Sequence, residues 1–148
     1  MNNKLLFSSN IHTWETPQDL FDKLNHKYNF TLDVCATKDN AKCERFYSPE
    51  IDGLKQTWIG MCWMNPPYEK GVQSKWIEKA YNESLTGNCE VLALLPARTD
   101  TKMFHKFIYR KKTVSIDFLE GRLKFGNSLN AAPFPSMLVL FSNQLTLF

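Results

Sequence analysis

Asn65-Pro66-Pro67-Tyr68 is the strongest chemical signal in the chain. A string of Asp, Asn or Ser, two prolines and an aromatic residue arises by chance in about one chain of this length in two hundred. A residue before proline is held extended and two prolines stiffen the turn, so the Asn65 amide oxygen and the Pro66 carbonyl can face one small space. Two fixed acceptors suit a planar amine. The lone pair of an amine conjugated to a purine ring is delocalised, and accepting both of its protons favours the pyramidal, nucleophilic form. Tyr68 adds an aromatic face, and stacking a flipped-out base on such a ring contributes about 1–3 kcal/mol. The plain alternative is a rigid turn that ends a strand.

Two acids and a basic run are the other candidates. Asp33 ends the alternating stretch Phe30-Thr31-Leu32-Asp33-Val34, at a strand's exit, and Asp52 opens Asp52-Gly53-Leu54. Carboxylates so placed serve cationic ligands, or act simply as turn and cap residues. Lys102, Lys106, Arg110, Lys111 and Lys112 fall in an acid-free run interleaved with Phe104, Phe107 and Tyr109. They read as a phosphate-tracking edge or as a solvated helix face. Lys70, Arg98 and Arg122 are candidates for the same nucleic-acid surface, and residues 126–135, with Asn127, Asn130 and Phe134, for base contacts or a lid. Cys35, Cys43, Cys62 and Cys89 include no Cys-x-x-Cys pair and His12, His26 and His105 are scattered. No metal site is expected, and the thiols read as buried and reduced. No cysteine sits in the Pro-Cys setting that covalent attack on cytosine carbon 5 needs.

These residues need elements to hold them. Thr16-Pro17-Gln18-Asp19 opens a helix, with Thr16 as cap, Pro17 at the first helical position and Asp19 in the first turn. Leu20, Phe21, Leu24 and Tyr28 share its apolar face. Residues 37–60 show no clean period and read as a long connection with room for one short helix. Met61-Cys62-Trp63-Met64 is a short strand halted by Asn65-Pro66, and residues 72–85 return to helical spacing. Val91-Leu92-Ala93-Leu94-Leu95 reads as a strand buried on both faces, ended by Pro96. Another short helix fits Met103, Phe104, Phe107 and Ile108, and strands follow around 113–119, 122–125 and 136–141. Strands alternating with helices predict an open α/β fold: a mostly parallel sheet with helices on both faces, closed by antiparallel, hairpin-like strands. Ligands in such sheets lie beyond the carboxyl ends of the strands, where Asp33 and Asn65 both fall.

Taken in order, six segments resemble the small phage N-6-adenine DNA methyltransferase family: Trp14-x-Thr16-Pro17, Leu32-Asp33-x-x-Ala36, Asp52-Gly53-Leu54, Asn65-Pro66-Pro67-Tyr68, Leu95-Pro96-x-Arg98 and Gly121-Arg122-Leu123-x-Phe125. The tetrapeptide resembles motif IV of amino-methyltransferases that use S-adenosylmethionine, and the likeness runs from Trp14 to about Phe141. It implies a Rossmann-like methyltransferase fold in shortened form, S-adenosylmethionine as cofactor, and methyl transfer to the 6-amino group of adenine in DNA, taken as double-stranded. It further implies Thr16 and Pro17 at the cofactor's methionine end and Asp33 near its amino group. Asp52 would accept from its adenine, with Ala36 and Leu54 beside these acids. Asn65, Pro66, Pro67 and Tyr68 would form the catalytic pocket for a flipped base. The chain departs from the wider superfamily where Asp33-Val34-Cys35-Ala36-Thr37 lacks the glycines that let backbone approach a ligand. The short span from Asp33 to Asp52 also leaves little room for the helix and strand that usually carry a ribose-binding acid, a part left to Glu44. The same tetrapeptide occurs in methyltransferases of RNA bases and of a protein amide. A nucleic-acid-binding scaffold without turnover is the remaining alternative.

The 148 residues, 43% hydrophobic and 14% aromatic, suit one globular domain with a substantial core. A single catalytic domain over 1–148 is expected, with no separate target-recognition domain, which leaves specificity to loops or to a homodimer. A net charge of +3 excludes little, so attraction to DNA has to come from clustering. No run approaches the length of a membrane span and the N-terminus lacks a signal-peptide apolar region, so the cytoplasm of a bacterial host is the expected location.

Overall fold

The structure is a computed structural model that describes residues 14–146; the expected lead-in at 1–13 lies outside the described residues. A five-stranded sheet forms its centre, in the order β1-β2-β3-β5-β4. The strands are β1 (Leu32–Asp33), β2 (Gly60–Met64), β3 (Cys89–Pro96), β4 (Val114–Phe118) and β5 (Ser136–Phe141). β1, β2 and β3 pair in parallel, and β5 lies antiparallel between β3 and β4. Four of the five strands therefore point the same way, a mixed α/β architecture with a mostly parallel sheet.

Two helices cover opposite faces. α1 (Gln18–Tyr28) and α2 (Val72–Leu85) lie within the predicted spans. The continuous apolar run of β3 is two alternating sets. Val91, Ala93 and Leu95 join Trp76, Ile77 and Ala80 of α2, while Leu92 and Leu94 join Phe21 of α1. A strand with period-two side chains and helices on both faces has no polar side to show. The expected third helix is a single π-turn, Phe104–Ile108, which buries Phe104 and Ile108 on the α2 face.

The late part of the chain closes the sheet with consecutive antiparallel strands, β4 and β5, as expected, but with one fewer strand and a different placement. β5 does not extend a hairpin at the sheet's edge but inserts beside β3, pairing from Val91↔Phe141 to Pro96↔Ser136. The strand expected at 122–125 does not form. Both edges of β5 are taken, and residues 119–135 fold on themselves instead, with the Ala132 N–H donating to the Leu123 carbonyl at 2.8 Å. Phe125 is thereby driven into the α1 face, 1% exposed. The long connection at 37–60 holds one parallel bridge, Asp33↔Phe46, and one 3₁₀ turn, Gly53–Lys55. Among the described residues, no helix is long and apolar enough to cross a membrane.

Candidate active site

β1 and β2 are in register with Asp33 beside Trp63, so Asp33 and Asn65 emerge together at the carboxyl end of the sheet. A cavity of about 380 Å³ opens there. Thr16, Asp33, Ala36, Asp52, Asn65, Pro66, Pro67 and Tyr68 all line it, so segments far apart in sequence converge on one space. Pro17 and Leu54 are not among the lining residues. The Pro17 carbonyl accepts from the Phe21 N–H at the start of α1, and Leu54 packs against the core while its N–H donates to Asp52 Oδ1 at 3.1 Å. Glu44 is exposed and does not line this cavity; it borders an adjoining depression that shares Thr37, Ser48 and Pro49 with it.

Asp33 is 2% exposed. Its Oδ2 accepts from the Lys42 N–H at 3.0 Å and its Oδ1 from the Cys35 N–H at 3.3 Å. Burial pushes its carboxyl up to about 7, against the pull of those two N–H groups and the Lys42 charge. The bridge to Phe46 and the bonds from the Asp33 N–H to the Arg45 carbonyl and from the Tyr47 N–H to the Asp33 carbonyl hold it at the edge of the sheet. Phe46 thus makes a one-residue bridge in the short span between Asp33 and Asp52.

Asp52 caps the 3₁₀ turn in a left-handed conformation. The next residue packs closely against the exit of β1. A Cβ on Gly53 would collide with the Val34 carbonyl at the exit of β1, so the close backbone approach is made by a glycine from a distant segment. Burial pushes the Cys35 and Cys43 thiols up to about 12, which keeps both neutral beside the acids. No group of three or more His, Cys, Asp or Glu is placed to hold a metal among the described residues.

The tetrapeptide follows directly on the end of β2. Asn65 Nδ2 donates to the Trp14 carbonyl at 2.8 Å and to Thr16 Oγ1 at 2.9 Å. Its Oδ1 is buried with no partner. Tyr68 is 9% exposed, and its hydroxyl donates to the Leu94 carbonyl at 3.2 Å. Its ring is not bare: Trp14 stacks on it at 6.2 Å and 17°, and Phe125 and Phe134 meet it at steep angles. The 126–135 stretch thus touches the tetrapeptide through Phe134. Trp14 carried a family signal, but that its main chain and ring both touch the tetrapeptide has no signature in the sequence. Of the other tryptophans, Trp58 fills the core, while Trp63 and Trp76 do so and also form cavity wall.

The basic residues divide. Lys70 follows Tyr68, Arg98 follows β3 with its guanidinium 6.0 Å from the Phe134 ring, and Arg122 lies in the connection after β4. All three are exposed at the cavity end, and Lys102 comes soon after Arg98. Val114, however, is level with Val91 across β5. Arg110, Lys111 and Lys112 therefore lie near the amino end of the sheet, away from the cavity, with Lys106 on the way down. The structure does not bring the eight basic candidates to one place.

The sequence itself is similar to known proteins. A family model described as DNA N-6-adenine-methyltransferase (Dam) matches residues 6–144. The "DNA N-6-adenine-methyltransferase" of Escherichia phage T1 is 33% identical over 113 residues, which is 74% of this chain and 45% of that protein. The chain thus spans less than half the length of that relative. The "Putative methyltransferase YfdM" of Escherichia coli (strain K12) is 35% identical over 63 residues, 37% of this chain and 69% of that protein. With the match running through Thr16, Asp33 and Asn65 to Tyr68, the chain belongs to the DNA N-6-adenine-methyltransferase (Dam) family.

Proposed function

We propose that this chain, a shortened Rossmann-like methyltransferase, moves a methyl group from S-adenosylmethionine to the 6-amino group of adenine in double-stranded DNA. The observation that carries this reading is the buried, unpartnered Oδ1 of Asn65 at the cavity wall. An orphaned buried acceptor is unfavourable by about 1–3 kcal/mol unless something comes to donate to it. A carbonyl can only accept, so the Trp14 carbonyl fixes which end of the amide is nitrogen and leaves the oxygen for the substrate.

The wall suits the cofactor. S-adenosylmethionine carries an ammonium and a sulfonium, and Asp33 is a buried carboxylate whose two bonds come only from neutral N–H groups. Asp52 lines the same cavity and Ala36 offers a small wall beside Asp33. When bound, the cofactor would supply an electrophilic methyl on sulfur; the amine lone pair would take the methyl as the S–C pair returned to sulfur, and the surplus amine proton would leave to water. The protein's task is placement. Asn65 Oδ1 and the Pro66 carbonyl accept from the amine, and Pro66-Pro67 keep both acceptors rigid. A base stacking on Tyr68 takes the face that Trp14 covers. Exposed Arg98, Arg122 and Lys70 offer phosphate partners around the opening.

Incubation with methyl-labelled S-adenosylmethionine and unmethylated duplex DNA, followed by digestion to nucleosides, tests the reading. Label is expected in N6-methyldeoxyadenosine. Label in RNA or protein alone would overturn the substrate, and cofactor binding without transfer to any of them would leave a silent scaffold.

A further inference from the structure

Thr16 stands where a helix cap is expected, yet α1 has no side-chain cap: Pro17 occupies that position, and no helix N–H reaches the Thr16 hydroxyl. Thr16 is 3% exposed, and its Oγ1 instead accepts from Asn65 Nδ2 at 2.9 Å. The second Nδ2 proton goes to the Trp14 carbonyl at 2.8 Å. Trp14 to Thr16 thus form a strap across the amide, and the strap is itself held. The Glu15 carbonyl accepts from the Gly126 N–H at 2.7 Å, and the Trp14 indole is wedged against Tyr68, Phe125 and Phe134.

We infer that Thr16 is a positioning residue, which with the Trp14 carbonyl locks the Asn65 amide in the one orientation that presents its oxygen to the substrate amine. This rests on the proposed role of Asn65 as acceptor. The terminal torsion of an asparagine is broad and nearly two-fold, so an untethered amide presents nitrogen almost as readily as oxygen. An N–H aimed at an amine proton repels it. The Trp14 carbonyl, which can only accept, excludes that alternative, and the Thr16 hydroxyl takes the second Nδ2 proton and holds the amide in plane. Thr16 therefore ties the cofactor side of the cavity, where the family resemblance places it, to the acceptor on the base side.

Thr16→Val keeps the shape and removes the acceptor. It is expected to lower kcat for methyl transfer at saturating S-adenosylmethionine about tenfold, the loss of roughly one hydrogen bond's preference. Thr16→Ser should restore kcat. Independently of activity, the Asn65 side-chain NH₂ protons, assigned by their loss in Asn65→Ala, should exchange slowly in the wild type and faster in Thr16→Val. If Thr16→Val melts early, Thr16→Ala carries the same comparison. Unchanged kcat and unchanged exchange in Thr16→Val would overturn the inference. So would a loss of rate that saturating S-adenosylmethionine abolishes, or Thr16→Ser being as slow as Thr16→Val. An Asn65→Ala protein that still methylates would instead sink the acceptor role beneath it, so the two failures are told apart.

Discussion

Asp33 is a carboxylate where the fold favours a neutral group. Its pKa rises from 3.8 to about 7 on burial, so the stability it contributes is present below the unfolded value and is lost as pH rises through about 7. Asp33→Asn should therefore narrow the gap in Tm between pH 3 and pH 8, while weakening the binding of S-adenosylmethionine. It should lower Tm at pH 3, because its amide NH₂ must face one of the two N–H donors. Melting curves at the two pH values, with calorimetry at pH 8, check both halves. In the wild type the ionised form is needed to accept from an ammonium, so affinity should fall about tenfold from pH 8 to pH 6; a flat profile would remove Asp33 from the cofactor's contacts. Asp33 and Asn65-Pro66-Pro67-Tyr68 were legible because their chemistry lies in residue type and spacing. The Trp14 carbonyl was not, since a main-chain acceptor carries no letter. Nor was the covering of Tyr68, which takes aromatic rings from residues 14, 125 and 134. If the target base displaces the Trp14 indole, adding DNA should change tryptophan emission in the wild type and not in Trp14→Phe.

At the scale of elements, α2 and β3 could be read almost to their ends, because an apolar stripe at helical spacing and a doubly buried run each dictate one local structure. The insertion of β5 between β3 and β4 could not, because strand order is set by which edges remain free. That order decides the fate of the basic run. It carries Arg110, Lys111 and Lys112 towards the amino end of the sheet and leaves Arg98 and Arg122 beside the cavity. Arg98→Ala with Arg122→Ala should weaken DNA binding and flatten its salt dependence, by about one unit of slope per lost phosphate contact. Lys111→Ala with Lys112→Ala should leave the slope alone; the reverse in a salt-titrated binding assay would move the DNA to the other end. The 3₁₀ turn gives a further test. Gly53→Ala forces a Cβ against the Val34 carbonyl, a backbone atom that cannot rotate away. It should destabilise the fold by about 1–3 kcal/mol in denaturant titration, with loss of cofactor binding because Asp52 moves with the turn.

For the molecule as a whole, the high aromatic content serves two purposes. On the α1 face Phe21, Phe30 and Trp63 fill core, and the same layer runs without a break into Tyr68, Phe125, Phe134 and Trp14 around the site. The sheet sets the rest. Parallel β1 and β2 end together, so the residues that leave them face one cavity, and the remote strap and 3₁₀ turn close it. This convergence followed from the alternating order of strands and helices. The glycine that packs from residue 53 and the single bridge at Phe46 did not, because both depend on contacts across a segment with no local period. The most direct test of the site is Asn65→Ala, assayed for methyl transfer into unmethylated DNA and for S-adenosylmethionine binding on the same preparation. Transfer should fall at least about a hundredfold with cofactor affinity unchanged. An Asn65→Ala protein that methylates adenine at the wild-type rate would contradict the assignment of this amide as the acceptor.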